Sequence, residues 1–412
     1  MNDVIETGTG VATPVRILQL VPEALPTFRA DVAVLFGKYL PRHGVRCDVV
    51  GKGSKAPLQE QGFASVRRGA LGQRWRKELS FAWLCLRAMA GARRAECDVI
   101  QARDMVSLGV AGLLVARLKG IKFVYWMSFL MCEARIDRAR ARLRDGGGLR
   151  DRLVLAKGLV EYWLLHKVLL RHADHVFVQS DAMLDLLASQ GVPRDKMSAV
   201  PMGVDMEALA TKPQPRRLPG WENVPLLAYL GTLDPMRDIK MVVDALVLIR
   251  ATYPQARLLL IGDAPRKVDV ERLLEHARHA GVADAVHVTG WLPAPEAWQL
   301  LAGADVAVSY FPRGLVLDTN SPTKVLEYMA LGIPSLGNDN PDQQVVMTES
   351  QAGWLTPSTP AGLAEAACRV LADPQGAALR AAAGPPYIEA KRSYRVLAEG
   401  VARRYHTLLA RR

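Results

Sequence analysis

The chain is short of cysteine, of aromatic residues and of long apolar runs. Its five cysteines, at 47, 85, 97, 132 and 368 of 412 residues, form no Cys-x-x-Cys pair and no Cys/His cluster. That spacing argues against a structural zinc or a disulfide framework and suits reduced thiols in a cytoplasmic protein. The longest apolar stretch, residues 153–170, is interrupted by Lys157, Glu161, His166 and Lys167. It is too charged to span a bilayer and is expected as a buried helix. Residues 1–14 lack the basic and apolar regions of a signal peptide. No Gly-x-Gly-x-x-Gly turn follows the first strand pattern, so no dinucleotide cofactor is signalled there. No Asp-x-Asp pair is present to hold Mg²⁺ against a diphosphate, so neither a metal nor a cofactor is expected.

What is present is basic charge, unevenly shared. Residues 1–202 contain 31 Lys/Arg against 19 Asp/Glu, whereas residues 203–412 contain 22 of each, so the whole excess of +12 lies in the first half. A basic half beside a neutral half implies an anionic partner for the first: a lipid surface, a phosphorylated substrate or nucleic acid. Two segments concentrate the charge. Residues 73–94 pattern as a helix with Trp75, Leu79, Trp83, Leu86 and Met89 between basic ends. That is either an amphipathic core helix or one lying on an anionic membrane. Residues 134–152 contain seven arginines and read as a short basic helix running into a mobile loop at Gly146-Gly-Gly148. No zinc finger, RNP motif or interleaved aromatic strand supports nucleic acid.

The length admits two to three domains. Strand patterns at 15–21, 45–50, 97–102, 122–127, 173–180 and 197–200 alternate with helix patterns, including 30–43, 107–118 and 181–190. Residues 211–220, with three prolines and a glycine, read as a linker. The rhythm then restarts with strands at 225–230, 257–261, 285–289 and 305–310, and ends in helices at 361–373 and 393–409. The expectation is an α/β protein of two Rossmann-like parallel-sheet domains facing a central cleft, with ligands at the carboxyl ends of the strands. The divisions are a basic, membrane-facing N-terminal domain over 1–207, a C-terminal domain over 208–392, and a last helix, 393–412, returning to the first domain.

The most informative stretch runs from Thr319 to Ser335. Thr319, Asn320 and Ser321 suit an N-cap, Pro322 a first helical turn, and Gly332 with Pro334 a stop. Such a helix start leaves backbone N–H groups and partial positive charge open to a phosphate. Lys324 adds a full charge, and Glu327, one turn on, suits sugar hydroxyls. An ordinary capped helix explains the same residues equally well.

Six segments taken together separate these readings: Val200-Pro-Met-Gly-Val-Asp205, Tyr229-Leu-Gly-Thr-Leu-Asp-Pro-Met-Arg237, Leu260-Ile-Gly262, Val288-Thr-Gly-Trp291, Ala304-Asp-Val306 and Ser321-Pro-Thr-Lys-Val-Leu-Glu-Tyr-Met-Ala-Leu-Gly-Ile-Pro334. In order and spacing they resemble the retaining nucleotide-sugar glycosyltransferases of the GT-B fold, family 4. The resemblance implies transfer from a nucleoside-diphosphate sugar, a co-substrate rather than a cofactor, to a lipid-linked or polysaccharide acceptor at the cytoplasmic membrane face. It implies that Arg237 pairs with the donor diphosphate and that Glu327 binds ribose hydroxyls. Gly231 and Lys240 would lie near the donor, and Trp291 and Leu292 along the nucleobase. Thr319 replaces the family's first glutamate. Ser321, Pro322, Thr323, Lys324 and Val325 form the phosphate-facing turn. On the acceptor side the resemblance gives only positions: Arg103, Asp104 and Ser128. The loop at 22–29 lacks the glycine pair many members have. Two alternatives remain at this stage: an epimerase of the same fold, which wants acidic and histidine residues that the sequence does not visibly bring to the cleft, and a non-enzymatic basic membrane or nucleic-acid binding protein.

Overall fold

The structure is a computed structural model that describes residues 14–57 and 62–410. Residues 1–13, where a signal peptide was argued against, and the final two residues of the last helical pattern lie outside the described part.

Two all-parallel sheets are formed. The first has seven strands: β1 (Val15–Leu25), β2 (Val45–Gly53), β3 (Ser65–Arg68), β4 (Val99–Arg103), β5 (Lys122–Met127), β6 (His175–Val178) and β7 (Met197–Ala199), in the order β3-β2-β1-β4-β5-β6-β7. The second has six: β8 (Leu226–Leu230), β9 (Arg257–Ile261), β10 (Val286–Val288), β11 (Val306–Ser309), β12 (Ser335–Asn338) and β13 (Trp354–Thr356), in the order β10-β9-β8-β11-β12-β13. Their near-continuous Val, Ile and Leu content follows from burial on both faces. In each sheet the strand order reverses beside the first strand, between β1 and β4 and between β8 and β11. Crossovers diverge at such a point and leave a crevice at the carboxyl ends of the strands.

One face of the first sheet is covered by helices Arg74–Gly91 and Val106–Lys119 and by the segment Leu165–Leu169. The other face is covered by the helical segment 30–43 and by the last helix, Tyr394–Ala410. Tyr405, fully buried on that helix, donates its hydroxyl hydrogen to Gln101 of β4. The chain passes between the sheets twice, side by side: Val204 N–H donates to Arg392 O at 2.9 Å and Tyr394 N–H to Val204 O at 3.0 Å.

Three local expectations are corrected. The helical segment 30–43 is not one α-helix but α over Ala30–Ala33, π over Leu35–Tyr39 and 3-10 over Leu40–His43. Pro41 lacks the N–H that a regular ladder requires. Residues 134–152 are not a mobile loop after a short helix. They belong to a helical hairpin, Met131–Arg144 and Leu149–Leu164, with the glycines as its turn. Nor is the apolar stretch 153–170 buried throughout. Only Gly158 of helix Leu149–Leu164 is buried, because a Cβ there would stand 2.9 Å from Ile136 Cγ1 of the partner helix. Leu149, Leu153, Leu159, Val160 and Trp163 of this helix face outward.

Candidate active site

The carboxyl ends of β8 and β9 are pressed together around glycines. Gly231 has φ of 131°, and a Cβ on it would lie 2.6 Å from Lys324 Cε. Gly262 has φ of 149°, and a Cβ there would lie 2.1 Å from Gly231 O. Side chains at either place would fill the space beside Lys324 and strain the backbone.

Lys324 stands in the first turn of helix Thr323–Ala330 and is 6% exposed. Its Nζ lies 4.5 Å from the Phe311 ring centroid and 4.8 Å from that of Tyr229. The guanidinium of Arg237 lies 4.3 Å from the same Phe311 ring, and its Nη1 is buried with no hydrogen-bond partner. Among the described residues neither side chain makes an ion pair. Burial, then the Arg237 charge, holds the Lys324 ammonium well below its ordinary pKa, with Glu327 acting in the opposite sense. Burial also lowers Arg237, and the Arg29 charge from the first domain adds to it. Two desolvated cations against one aromatic ring are costly without a counter-ion, because ring quadrupoles return only part of the lost hydration. They are suited to an incoming anion.

The helix start differs from the sequence reading. Pro322, not Thr319, Asn320 or Ser321, is the N-cap, and no side chain caps the turn. Ser321 is occupied elsewhere: its Oγ accepts from Met202 N–H at 2.9 Å and donates to Asp342 at 2.6 Å. Thr319 is buried, with its carbonyl accepting from Ser180 Oγ at 2.6 Å. Pro322 has no N–H to give, so Thr323, Lys324 and Val325 supply the open donors of the first turn. Glu327 follows one turn later. Burial pushes its carboxyl up to about 7, against the hydrogen bond from Trp298 and the Lys324 charge.

A cavity of about 560 Å³ opens beside these groups. Gly231, Gly262, Trp291, Leu292, Trp298 and Glu327 line it, and Phe28 reaches it from the first domain. The size and mostly apolar lining with a few polar groups suit a small ligand. Lys240 is not brought to it. Its side chain is exposed on a separate hollow of about 240 Å³ with Asp234 and Arg272, because the turn 235–237 carries the start of helix Lys240–Thr252 away from the cleft.

On the first-domain side Arg103, Asp104 and Ser128 do meet, joined by Glu23 and Asp31. Arg103, 1% exposed, donates to Ser128 Oγ at 2.9 Å and to Asp31, and its Nε lies 3.2 Å from Glu23 and 3.6 Å from Asp104. Ser128 N–H donates to Asp104 Oδ1 at 2.7 Å. Burial raises both the Glu23 and the Asp104 carboxyl, with Arg103 opposing. Acidic residues are thus present in the cleft, contrary to the sequence reading, but they surround one guanidinium. Arg103 itself is closed off from a ligand by its neighbours. Sequence reasoning also missed Phe311 and Trp298, which pattern as core, and Phe28 and Arg29, which sit in a loop noted only for lacking glycines.

This geometry can be set beside known proteins. Residues 31–208 match the model described as Glycosyltransferase Family 4, and residues 224–373 the model described as Glycosyl transferases group 1. The chain therefore belongs to the family 4 glycosyltransferases, and its two facing sheets are the GT-B fold. WcaL of Escherichia coli K12, whose name places it in colanic acid biosynthesis as a glycosyltransferase, is 25% identical over 232 residues, 54% of this chain and 55% of that protein. A GDP-mannose-dependent α-(1-6)-phosphatidylinositol monomannoside mannosyltransferase of Mycolicibacterium smegmatis is 29% identical over 219 residues, 52% of this chain and 56% of that one. The matched region spans about half the length of these curated relatives. Among solved structures, Anabaena Alr3699/HepE in complex with UDP and glucose aligns with a TM-score of 0.68 at 16% identity, covering 95% of this chain and 100% of that one. Sucrose-phosphate synthase of Thermosynechococcus elongatus aligns at 0.72 and 18%, covering 97% and 100%. At such identities these two show the fold.

Proposed function

We propose that the protein transfers a sugar, with retention, from a nucleoside-diphosphate sugar to a lipid-linked or polysaccharide acceptor at the cytoplasmic face of the membrane. The observation that carries the reading is the buried Lys324 and the half-buried Arg237, whose Nη1 is buried without a partner, beside an uncapped helix N-terminus. A diphosphate satisfies all three at once. As the glycosidic bond breaks, charge accumulates on the leaving diphosphate, and fixed donors that cost no reorganisation stabilise it. The N–H groups of Thr323, Lys324 and Val325 meet the phosphates, Glu327 the ribose, and Trp291 and Leu292 the base. The WcaL and mannosyltransferase relatives support an acceptor of the glycan or lipid-linked class, and the UDP complexes of the same fold support the donor class.

A ligand bound only by the folded state raises the melting temperature. Among UDP, GDP and ADP, one is expected to raise it by several degrees, and equally in excess EDTA, since lysine and arginine do the work of a metal here. No shift with any of the three overturns the reading; a shift that EDTA abolishes and Mg²⁺ restores overturns metal independence. The epimerase alternative is separated by nucleotide release from the sugar nucleotide. Transfer releases it only when acceptor is added.

Support for the membrane comes from the outer layer of the first domain. Trp75, Leu79, Trp83 and Leu86 of helix Arg74–Gly91, Leu114 and Leu118 of Val106–Lys119, and Leu153, Val160 and Trp163 of Leu149–Leu164 are all exposed. Arg76 and Arg87 lie 5.2 Å from the Trp75 and Trp83 rings. Among the described residues no helix is long and apolar enough to cross a membrane. Basic residues contribute about 1 kcal/mol each near an anionic surface, and salt at 1 M shortens the screening length to about 3 Å. Co-sedimentation with phosphatidylserine-containing vesicles is expected, with release at high salt and little binding to phosphatidylcholine alone. Equal binding to both, or to neither, returns these clusters to ordinary solvated surface.

A further inference from the structure

Phe28 is 89% exposed, yet it is held in place. Leu25 and Thr27 on its N-terminal side are buried, and Thr27 Oγ1 accepts from Arg29 N–H at 3.1 Å. This turn sets the Phe28 ring against Trp291 of the second domain, with centroids 5.9 Å apart and planes 57° from parallel. Both rings line the 560 Å³ cavity, and Trp291 is itself 64% exposed. Two large apolar rings left in solvent and meeting across the cleft are poor packing for a domain contact, since each keeps most of its surface wet. They are well placed as two faces of a stacking site. A flat base between them needs two van der Waals contacts, about 7 Å in all and near-parallel planes. At 5.9 Å and 57° the rings occupy the seat instead.

The next residue points to the same ligand. Arg29 is 61% exposed and its Nε lies 3.9 Å from Glu23 Oε1, a loose pairing. Its charge is nonetheless felt at Arg237, which it pushes further down. With Phe28 against Trp291, the end of the loop lies at the second domain's side of the cleft.

We propose that residues 26–29 form a donor-operated gate, in which Phe28 and Trp291 part to admit the nucleobase and then close on its two faces, while Arg29 exchanges Glu23 for the diphosphate. The inference rests on the donor-site reading above and adds to it that the nucleotide site is completed by the first domain. Donor binding then loosens one cationic contact of Glu23, a member of the carboxylate cluster on the acceptor side.

Isothermal titration of the full chain tests it, using the nucleoside diphosphate that wild type binds best and, separately, inorganic pyrophosphate. Stacking on an aromatic side chain gives the base about a tenfold gain in affinity or more. Phe28→Ala is expected to weaken the nucleotide about tenfold and leave pyrophosphate unchanged, whereas Phe28→Tyr retains wild-type affinity. Arg29→Ala is expected to weaken both ligands. A Phe28→Ala affinity within twofold of wild type, or an equal loss for pyrophosphate, overturns the gate. If wild type binds none of UDP, GDP and ADP, the donor-site reading itself fails, and that failure is read before any variant is made.

Discussion

Replacing Arg237 by alanine is expected to lower turnover by about 10²–10³ with the fold intact. The side chain has no ion pair among the described residues, so its removal breaks no salt bridge. What it removes is a cation fixed 4.3 Å from Phe311, which on the proposed reading meets the leaving diphosphate. Lys324→Met is the sharper companion. It deletes an ammonium buried without a carboxylate partner and keeps an apolar stem of similar length. Turnover is expected to fall as steeply, while the melting temperature stays level or rises, because an uncompensated buried charge costs stability that an apolar side chain does not. Glu327→Ala is expected to cut transfer sharply as well, through the lost contact with the ribose. Thermal melts and steady-state assays on the same preparations decide the matter. Wild-type turnover in Arg237→Ala and Glu327→Ala would remove both from the site, and a large drop in melting temperature for Lys324→Met would mean that the lysine serves packing.

The second large effect is on stability. Arg103→Met is expected to destabilise the first domain by about 3–5 kcal/mol, the usual cost of removing one partner from a buried charge group. Glu23, Asp31 and Asp104 all depend on that guanidinium. The sign of the pH dependence follows from the raised folded-state pKa of Glu23 and Asp104. A carboxyl raised on folding binds more protons in the native than in the unfolded state. Stability is then full below the unfolded pKa and declines as pH rises through the folded pKa. Without Arg103 the shift grows, so the deficit of the variant is expected to be largest near pH 8 and to shrink towards pH 5. Chemical denaturation at the two pH values measures it. A deficit independent of pH would assign the loss to packing alone.

Much of the architecture was legible because it is written in local periodicity. Most of the parallel strands are short and apolar, and 122–127 and 257–261 match β5 and β9 residue for residue. The motif around Lys324 and Glu327 was legible for another reason: a helix start, a cation and a carboxylate one turn on are adjacent in the chain. Helix Leu149–Leu164 was misjudged because apolar content alone does not say which side a helix buries. Gly158 packs on its partner, and the leucines that looked like core point outward.

The sequence by itself thus determined the elements, their alternation into two parallel-sheet domains, the basic bias of the first and the family to which the chain belongs. Each of these depends on neighbouring residues or on composition. Only the tertiary structure decided which distant groups meet. Phe311 meets both Arg237 and Lys324 because β11 ends beside β8. Arg103 gathers Glu23, Asp31 and Asp104 because β1 and β4 are neighbours across the strand-order reversal. Phe28 reaches Trp291 because the chain crosses between the sheets twice and turns their open ends towards each other. The burial of Lys324 and of Arg237 Nη1 without an ion-pair partner, on which the diphosphate proposal rests, arises from packing among residues far apart in the chain.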